Sequence, residues 1–247
     1  DNKRVFILST NNCEFITSFS IPNPQNDRDF AVRTIRFSSD SKYLAFNGPE
    51  NNVLVYSVYN HQIICDLKNQ HSTKLSQVLF SNDSSKLYSS SFDNCLCIWD
   101  LNSMSLLIKR LLKTKKVGIF YNNQDMITSL SLLNDKKSVL VAFMSGEVHI
   151  YDQMLSEKIY SFNANEQHMY NVSVSRFGNL ISSSSSNKTT NILELKQDGS
   201  AELKKKLVGH NDIVLSACFS INEKICFTAG KDETIKVWNY ENGECLC

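Results

Sequence analysis

The chain has 247 residues, 42% of them hydrophobic, with 26 Lys and Arg against 25 Asp and Glu, a net charge of +1 and a pI near 7.7. That balance excludes a general electrostatic drive toward nucleic acid or a membrane surface. No apolar run is long enough to cross a bilayer and no signal-like segment opens the chain.

The elements read as strands from end to end. Residues 2–20 give a strand at Val5–Leu8 and a second at Phe15–Phe19. Apolar alternation then marks Val32–Phe37, Lys86–Ser91, Cys95–Trp99, Val148–Tyr151 and Thr234–Trp238. Between such runs lie Ser-Asn-Asp, Ser-Ser-Asp-Ser, Ile-Asn-Glu-Lys and Glu-Asn-Gly-Glu, which is turn chemistry. With only eight Gly and three Pro, turns fall to Asn, Asp and Ser, which cap their own backbone and tolerate positive φ. No long stretch shows helical periodicity. The length accommodates one all-β domain with a substantial core.

The spacing of a few residues decides the architecture. His71, Ser89, Asp93 and Trp99 are separated by 18, 4 and 6 residues, and so are His210, Thr228, Asp232 and Trp238. A phenylalanine follows each histidine by nine residues (Phe80, Phe219). The same ruler, Phe slot then 13 to the Asp slot and 6 to the Trp slot, finds weaker copies. These are Phe37/Glu50/Tyr56, Leu132/Ser145/Tyr151 and Val174/Asn187/Leu193. Successive Phe slots lie 43, 52, 42 and 45 residues apart. A period in the low forties with a GH…WD signature marks a four-stranded propeller blade.

The residues of the two strong copies resemble the WD-repeat β-propeller family. The expected layout is five full blades, A to E, over about 31–69, 71–112, 126–163, 170–208 and 209–247. In front of them stands a partial blade, 1–20, made of a third strand c and an outer strand d. The chain opens on Asp1 rather than Met and reads as an excerpt; because the remnant lacks strands a and b, we expect a seven-bladed parent ring with about 60–80 residues missing at this period, or else a six-bladed ring. The resemblance implies that each His–Ser/Thr–Asp–Trp set is a buried structural network. In it Asp accepts from the turn and from His, His donates to the hydroxyl, and the hydroxyl accepts the indole N–H. Blade A offers only Arg28, Phe46, Glu50 and Tyr56 in those slots. Blade C offers Asn123, Val141, Ser145 and Tyr151, and blade D keeps Ser183 and Asn187. These three blades are expected to lack the full network.

Within that family, the phrases DFAVRTIRFSSDSKYLAF and VGHNDIVLSACFSINEKICFTAGKDETIKVWN resemble the propeller of fungal Tup-type corepressors, relatives of Groucho. This implies a non-enzymatic scaffold holding peptide segments of DNA-bound repressors, acting in the nucleus without touching DNA itself. Other proteins would be the partners, with no membrane and no small-molecule substrate. A second reading is an assembly scaffold for ribosome or RNA processing, or the substrate receptor of a ubiquitin ligase. Lys109-Arg110, Lys113, Lys115-Lys116 and Lys204–Lys206 are basic enough to meet RNA, or are simply exposed outer strands. The apolar 117–121 stretch is a candidate docking element.

Propellers bind mainly at the top face, formed by the b–c and d–a loops. The residue before each Asp slot faces that rim: Pro49, Phe92, Met144, Ser186 and Lys231. So does the residue two after each His slot: Phe30, Thr73, Asp125, Gln167 and Asp212. Phe30, Phe92 and Met144 are the expected apolar anchors. No phosphate loop, H-E-x-x-H or G-x-S-x-G motif proposes a reaction, so no catalytic residue, metal or cofactor is expected. The eight cysteines are read as reduced, small apolar filler.

Overall fold

A computed structural model describes residues 4–22, 30–114, 125–135 and 137–247. Arg28 and Asn123, the Asn2-Lys3 pair, Lys115-Lys116 and the 117–121 stretch lie outside the described residues. A hairpin of β1 (Arg4–Leu8) and β2 (Phe15–Ser20) comes first. Blade A follows with β3 (Ile35–Phe37), β4 (Tyr43–Asn47), β5 (Val53–Ser57) and β6 (Gln62–Leu67). Blade B holds β7 (Leu75–Phe80), β8 (Lys86–Ser91), β9 (Cys95–Asp100) and β10 (Ser105–Leu111). Blade C holds β11 (Ile127–Leu132), β12 (Ser138–Phe143), β13 (Glu147–Asp152) and β14 (Lys158–Asn163). Blade D holds β15 (Met169–Val174), β16 (Leu180–Ser185), β17 (Thr189–Leu195) and β18 (Ala201–Val208). Blade E holds β19 (Val214–Phe219), β20 (Cys226–Gly230), β21 (Ile235–Asn239) and β22 (Glu244–Cys245). In every blade the four strands pair antiparallel in sequence order.

The repeat is stricter in the backbone than in the side chains. The residue after each Asp slot has left-handed φ: Asn51, Asn94, Gly146, Lys188 and Glu233. The a–b turn repeats this four residues after the Phe slot, at Ser41, Ser84, Gly178 and Glu223. A non-glycine side chain there is strained, yet the turn imposes the angle whichever residue is present. Gly146 is the one b–c position where glycine is required, since a Cβ would lie 1.9 Å from the Asn165 carbonyl oxygen. Strand a also carries one bulge at the same place in blades B to E, between Leu75/Gln77, Ile127/Ser129, Met169/Asn171 and Val214/Ser216.

The core lies between blades. Strand c side chains of one blade meet strands a and b of the next. Val53 and Val55 of blade A pack with Leu75, Val78, Leu87 and Trp99 of blade B. The hairpin packs on blade A in the same manner, with Val5, Ile7 and Phe19 against Leu44, Phe46 and Tyr56. Phe19 stacks on Tyr56 with ring centroids 3.9 Å apart. Cys97 and Cys226 are core filler, as expected. Cys13, Cys218, Cys245 and Cys247 are exposed, so the filler reading does not extend to them.

Candidate protein-interaction face

Both tetrads form. In blade B the Trp99 indole donates to Ser89 Oγ at 2.8 Å, and Ser89 Oγ lies 2.8 Å from His71 Nε2. In blade E, Trp238 donates to Thr228 Oγ1 at 2.8 Å and His210 Nε2 lies 2.7 Å from the same oxygen. His210 Nδ1 reaches Asp232 Oδ2 at 2.9 Å. A neutral imidazole that donates through Nδ1 accepts at Nε2. The hydroxyl therefore donates to the ring, the reverse of the direction read from the sequence. In blade B the last link is looser: His71 Nδ1 stands 3.6 Å from Asp93 Oδ1, too far for a hydrogen bond.

The two aspartates knit the d–a loop to the b–c turn. Asp93 accepts from the N–H of Ser72 at 2.7 Å and of Cys95 at 2.8 Å. Asp232 accepts from the N–H of Asn211 at 2.8 Å and from Thr234 Oγ1 at 2.8 Å. Burial pushes both carboxyls up. The His71 contact and the Ser72 and Cys95 N–H groups outweigh it at Asp93, and the Asn211, Thr234 and His210 donors outweigh it at Asp232. Both are held well below the usual carboxylate range.

The blades without tetrads make the same junction with other groups. In blade C the acid sits on the opposite loop: Asp125 Oδ1 accepts the N–H of Ser145 at 2.8 Å. Asp125 is buried, which removes it from the rim where the sequence placed it. Below it, His149 bridges Glu147 (2.7 Å) and the Tyr151 hydroxyl (3.2 Å) on one face of β13. Burial holds the His149 imidazole below its ordinary pKa, against the opposing Glu147 contact. In blade A, Asn47 Oδ1 accepts from the N–H groups of Arg33 (2.7 Å) and Thr34 (3.2 Å). In blade D, Ser183 Oγ and Asn191 Nδ2 both donate to the Ala164 carbonyl, at 3.1 and 3.0 Å. Asn47 and Asp125 were legible as buried caps only after the loops were placed, because neither occupies a tetrad slot.

One backbone bond recurs at the rim. The residue before the Asp slot donates its N–H to the d–a loop: Phe92 to Lys74, Met144 to Met126, Ser186 to His168, and Lys231 to Ile213, at 2.7–3.2 Å. Pro49 has no N–H to give, and in blade A the Asn47 amide takes over the junction. These bonds fix the rim backbone. Phe92, Met144, Pro49 and Ser186 are half-buried, and Lys231 and Gln167 are exposed. Thr73 is half-buried, with its hydroxyl 2.8 Å from that of Ser91, and Asp212 Oδ1 accepts the N–H of Ile213 at 2.7 Å. Phe30 departs from expectation. It is buried with Ile21, Leu44 and Phe46 beneath the rim, because the hairpin and blade A enclose it. Lys109, Arg110, Lys204 and Lys206 line exposed outer strands β10 and β18.

The description "WD domain, G-beta repeat" matches residues 61–100 and 201–239, which contain the whole tetrads of blades B and E. The chain superposes on the β-propeller domain of Cps50 (Swd1) from Myceliophteria thermophila with a TM-score of 0.81 at 10% identity, covering 99% of this chain and 79% of that one. The chain carries WD repeats on a β-propeller fold. Among curated relatives, Periodic tryptophan protein 2 of Saccharomyces cerevisiae is 23% identical over 98% of this chain. Transcriptional corepressor LEUNIG_HOMOLOG of Arabidopsis thaliana is 23% identical over 85% of it. The chain spans only 30% and 25% of those two proteins. Among the described residues no helix is long and apolar enough to cross a membrane.

Proposed function

We propose that this propeller is a non-enzymatic scaffold whose top face holds short peptide segments, and that it serves transcriptional repression by engaging DNA-bound repressors in the nucleus. The observation that carries the reading is the rim. Its backbone is pinned in blade after blade, and half-buried Phe92 and Met144 and exposed Lys231 stand at pinned positions. Aromatic, thioether and cationic side chains on a rigid frame are good peptide anchors. The Ser89–His71–Asp93 group of blade B supports the non-enzymatic reading. Ser89 is fully buried, and its oxygen is already occupied by Trp99 and His71, so it has no room to attack a substrate. The repressor role is supported by the likeness to the Arabidopsis corepressor. An assembly scaffold for RNA-containing complexes is the second reading, supported by the exposed basic residues of β10 and β18.

The test is binding of an array of peptides taken from DNA-binding repressors, with Phe92→Ala, Met144→Ala and Lys231→Ala alongside the parent protein. The reading expects at least one peptide to bind and the substitutions to weaken it about tenfold while melting stays fixed. Binding that ignores all three substitutions would reject the rim, and an array with no binder would reject the repressor role.

A further inference from the structure

At the top of the seam between blades A and B, Arg33 and Lys74 line one hollow of about 50 Å³, with the buried Phe30 and Leu75 also in its wall. Arg33 lies four residues before the Phe slot of blade A, and Lys74 six before that of blade B. The same two positions at the next three seams hold Ser76 and Met126, Thr128 and His168, and Tyr170 and Ile213. Two cations therefore share a seam only between A and B among the described blades. Both residues are exposed, and neither side chain has an ion-pair or hydrogen-bond partner among the described residues. Other basic residues are paired: Lys42 with Asp40 at 3.3 Å, Lys68 with Asp66 at 3.0 Å and Lys196 with Glu194 at 2.8 Å. Glu50 also lines the hollow. Asp66 and, more weakly, Glu50 raise the Lys68 ammonium above its ordinary value, so the Glu50 field is shared with that group. Two cations against one carboxylate leave the lining with one net positive charge.

The backbone that carries the two cations is held on both sides. Arg33 N–H donates to Asn47 Oδ1 at 2.7 Å, and Asn47 Nδ2 donates to the Ala31 carbonyl at 2.8 Å. The Lys74 carbonyl accepts from Phe92 N–H at 3.2 Å and from Ser91 Oγ at 3.1 Å. Groups mounted on a fixed frame lose less freedom when a ligand arrives. The b–c turn of blade A also differs from the other four. Glu50 (φ 57°) and Asn51 (φ 62°) are both left-handed, whereas the turns of blades B to E have one such residue each. Strained backbone of this kind collects at ligand clamps.

We propose that this hollow receives a carboxylate side chain, so that the peptide held by the top face carries Asp or Glu beside an apolar residue. The inference rests on the peptide-binding reading and narrows it to one chemistry. An unpaired guanidinium and an unpaired ammonium are complementary to an incoming carboxylate, and Arg presents paired N–H groups that match its two oxygens. A hollow of about 50 Å³ takes about three or four water-sized groups, which suits a carboxylate better than the larger phosphoryl group. The apolar neighbour follows from the bond between Phe92 N–H and the Lys74 carbonyl, which sets half-buried Phe92 on the turn beside Lys74. An aromatic anchor next to a cationic one reads an apolar residue next to an acidic one.

The test uses the complete polypeptide as the cell makes it and three fluorescein-tagged peptides: alternating Glu and Leu, its Gln–Leu isostere, and a phosphoserine–Leu version. The readout is the ratio of Gln–Leu to Glu–Leu dissociation constants. The ratio should be about fivefold or more in low salt and shrink as salt screens the contact. Arg33→Gln and Lys74→Gln should each bring it to about twofold or less with the melting temperature unchanged, whereas Phe92→Ala should weaken both peptides and leave the ratio in place. Equal binding of Glu–Leu and Gln–Leu by the parent protein would overturn the acidic preference and leave the peptide reading standing. Binding of none of the three would also overturn it, and the peptide reading would then stand or fall on the repressor array. Tighter binding of the phosphoserine peptide would assign the hollow to a phosphorylated segment instead. Displacement of the Glu–Leu peptide by a single-stranded RNA that loses affinity on Arg33→Gln would assign the cations to nucleic acid and overturn the proposal.

Discussion

Removing one oxygen from the middle of blade B is the sharpest test of the tetrad. Ser89 is fully buried, and its oxygen is the shared partner of the Trp99 indole and the His71 ring. Ser89→Ala leaves both without a partner in a dry interior. Each stranded group costs about 1–3 kcal/mol, giving about 2–5 kcal/mol together. The loss should be greater than for Thr228→Val in blade E. There His210 stays tied to Asp232 at 2.9 Å, whereas His71 is 3.6 Å from Asp93 and leans on Ser89. For a chain of this size each kcal/mol moves the melting temperature by about 2–4 °C, so calorimetry should show a drop on the order of 5–15 °C. A cycle with Trp99→Phe should give a coupling of about 1 kcal/mol or more, measured by urea titration. A drop under about 1 °C, or additivity within about 0.3 kcal/mol, would refute the network as an energetic unit.

Acid should unfold the protein from the loops inward. Asp93 and Asp232 carry depressed carboxyl pKa values, and Asp83 is held at about 2 by the Ser81 hydroxyl and the Ser85 N–H and hydroxyl. Groups depressed on folding stabilise fully above their unfolded value near 4 and lose that contribution as pH falls below it. Melting temperature should therefore fall between about pH 4 and pH 2, and Asp83→Asn should flatten the upper part of that fall. Thiol labelling should divide the cysteines. Cys97 and Cys226, whose thiols burial pushes up to about 12, should resist maleimide in the native state, while Cys13, Cys245 and Cys247 react within the first minutes.

How far the sequence could be read depended on what each feature needs. The strand order and the outer hairpin follow from alternation and from the His-to-Trp spacing, because a tetrad requires four residue types at fixed distances. Lys86–Ser91 came out as β8 with both ends in place, whereas Val32–Phe37 shrank to β3 at Ile35–Phe37, since the Asn47 amide takes the N–H groups of Arg33 and Thr34. The turns that carry Phe92 and Lys231 were legible because the backbone alone sets them. The outward placement failed at Phe30 and Asp125, which are buried. In each case a loop packs the side chain inward against partners distant in sequence, and no local period records that. Lys188, Glu223 and Glu233 adopt left-handed φ where Asn, Asp or Ser was expected, so turn chemistry underestimates what a repeated fold imposes.

The divergent blades are not weakened copies awaiting repair, and blade C shows why. Its Asp slot holds Ser145, and the family pattern invites Ser145→Asp. In blades B and E that aspartate accepts from the d–a loop. In blade C the carboxylate is already present on the other side of the junction, as Asp125, and its Oδ1 takes the Ser145 N–H. Asp125 Oδ2 is buried and has no hydrogen-bond partner among the described residues. A second carboxylate at 145 would face the first across a few ångströms with Glu147 also close by, and like charges at that range force one group to take up a proton or move. The substitution toward the pattern should therefore lower stability, by about 1–3 kcal/mol at pH 7. The loss should shrink as pH falls toward 4, because protonating either carboxyl removes the repulsion. Paired with Asp125→Asn, Ser145→Asp should recover most of the loss, as the amide can donate to the new acid. A higher melting temperature for Ser145→Asp alone at neutral pH would show that blade C tolerates the tetrad acid, and that its inverted junction is not what holds the two loops together.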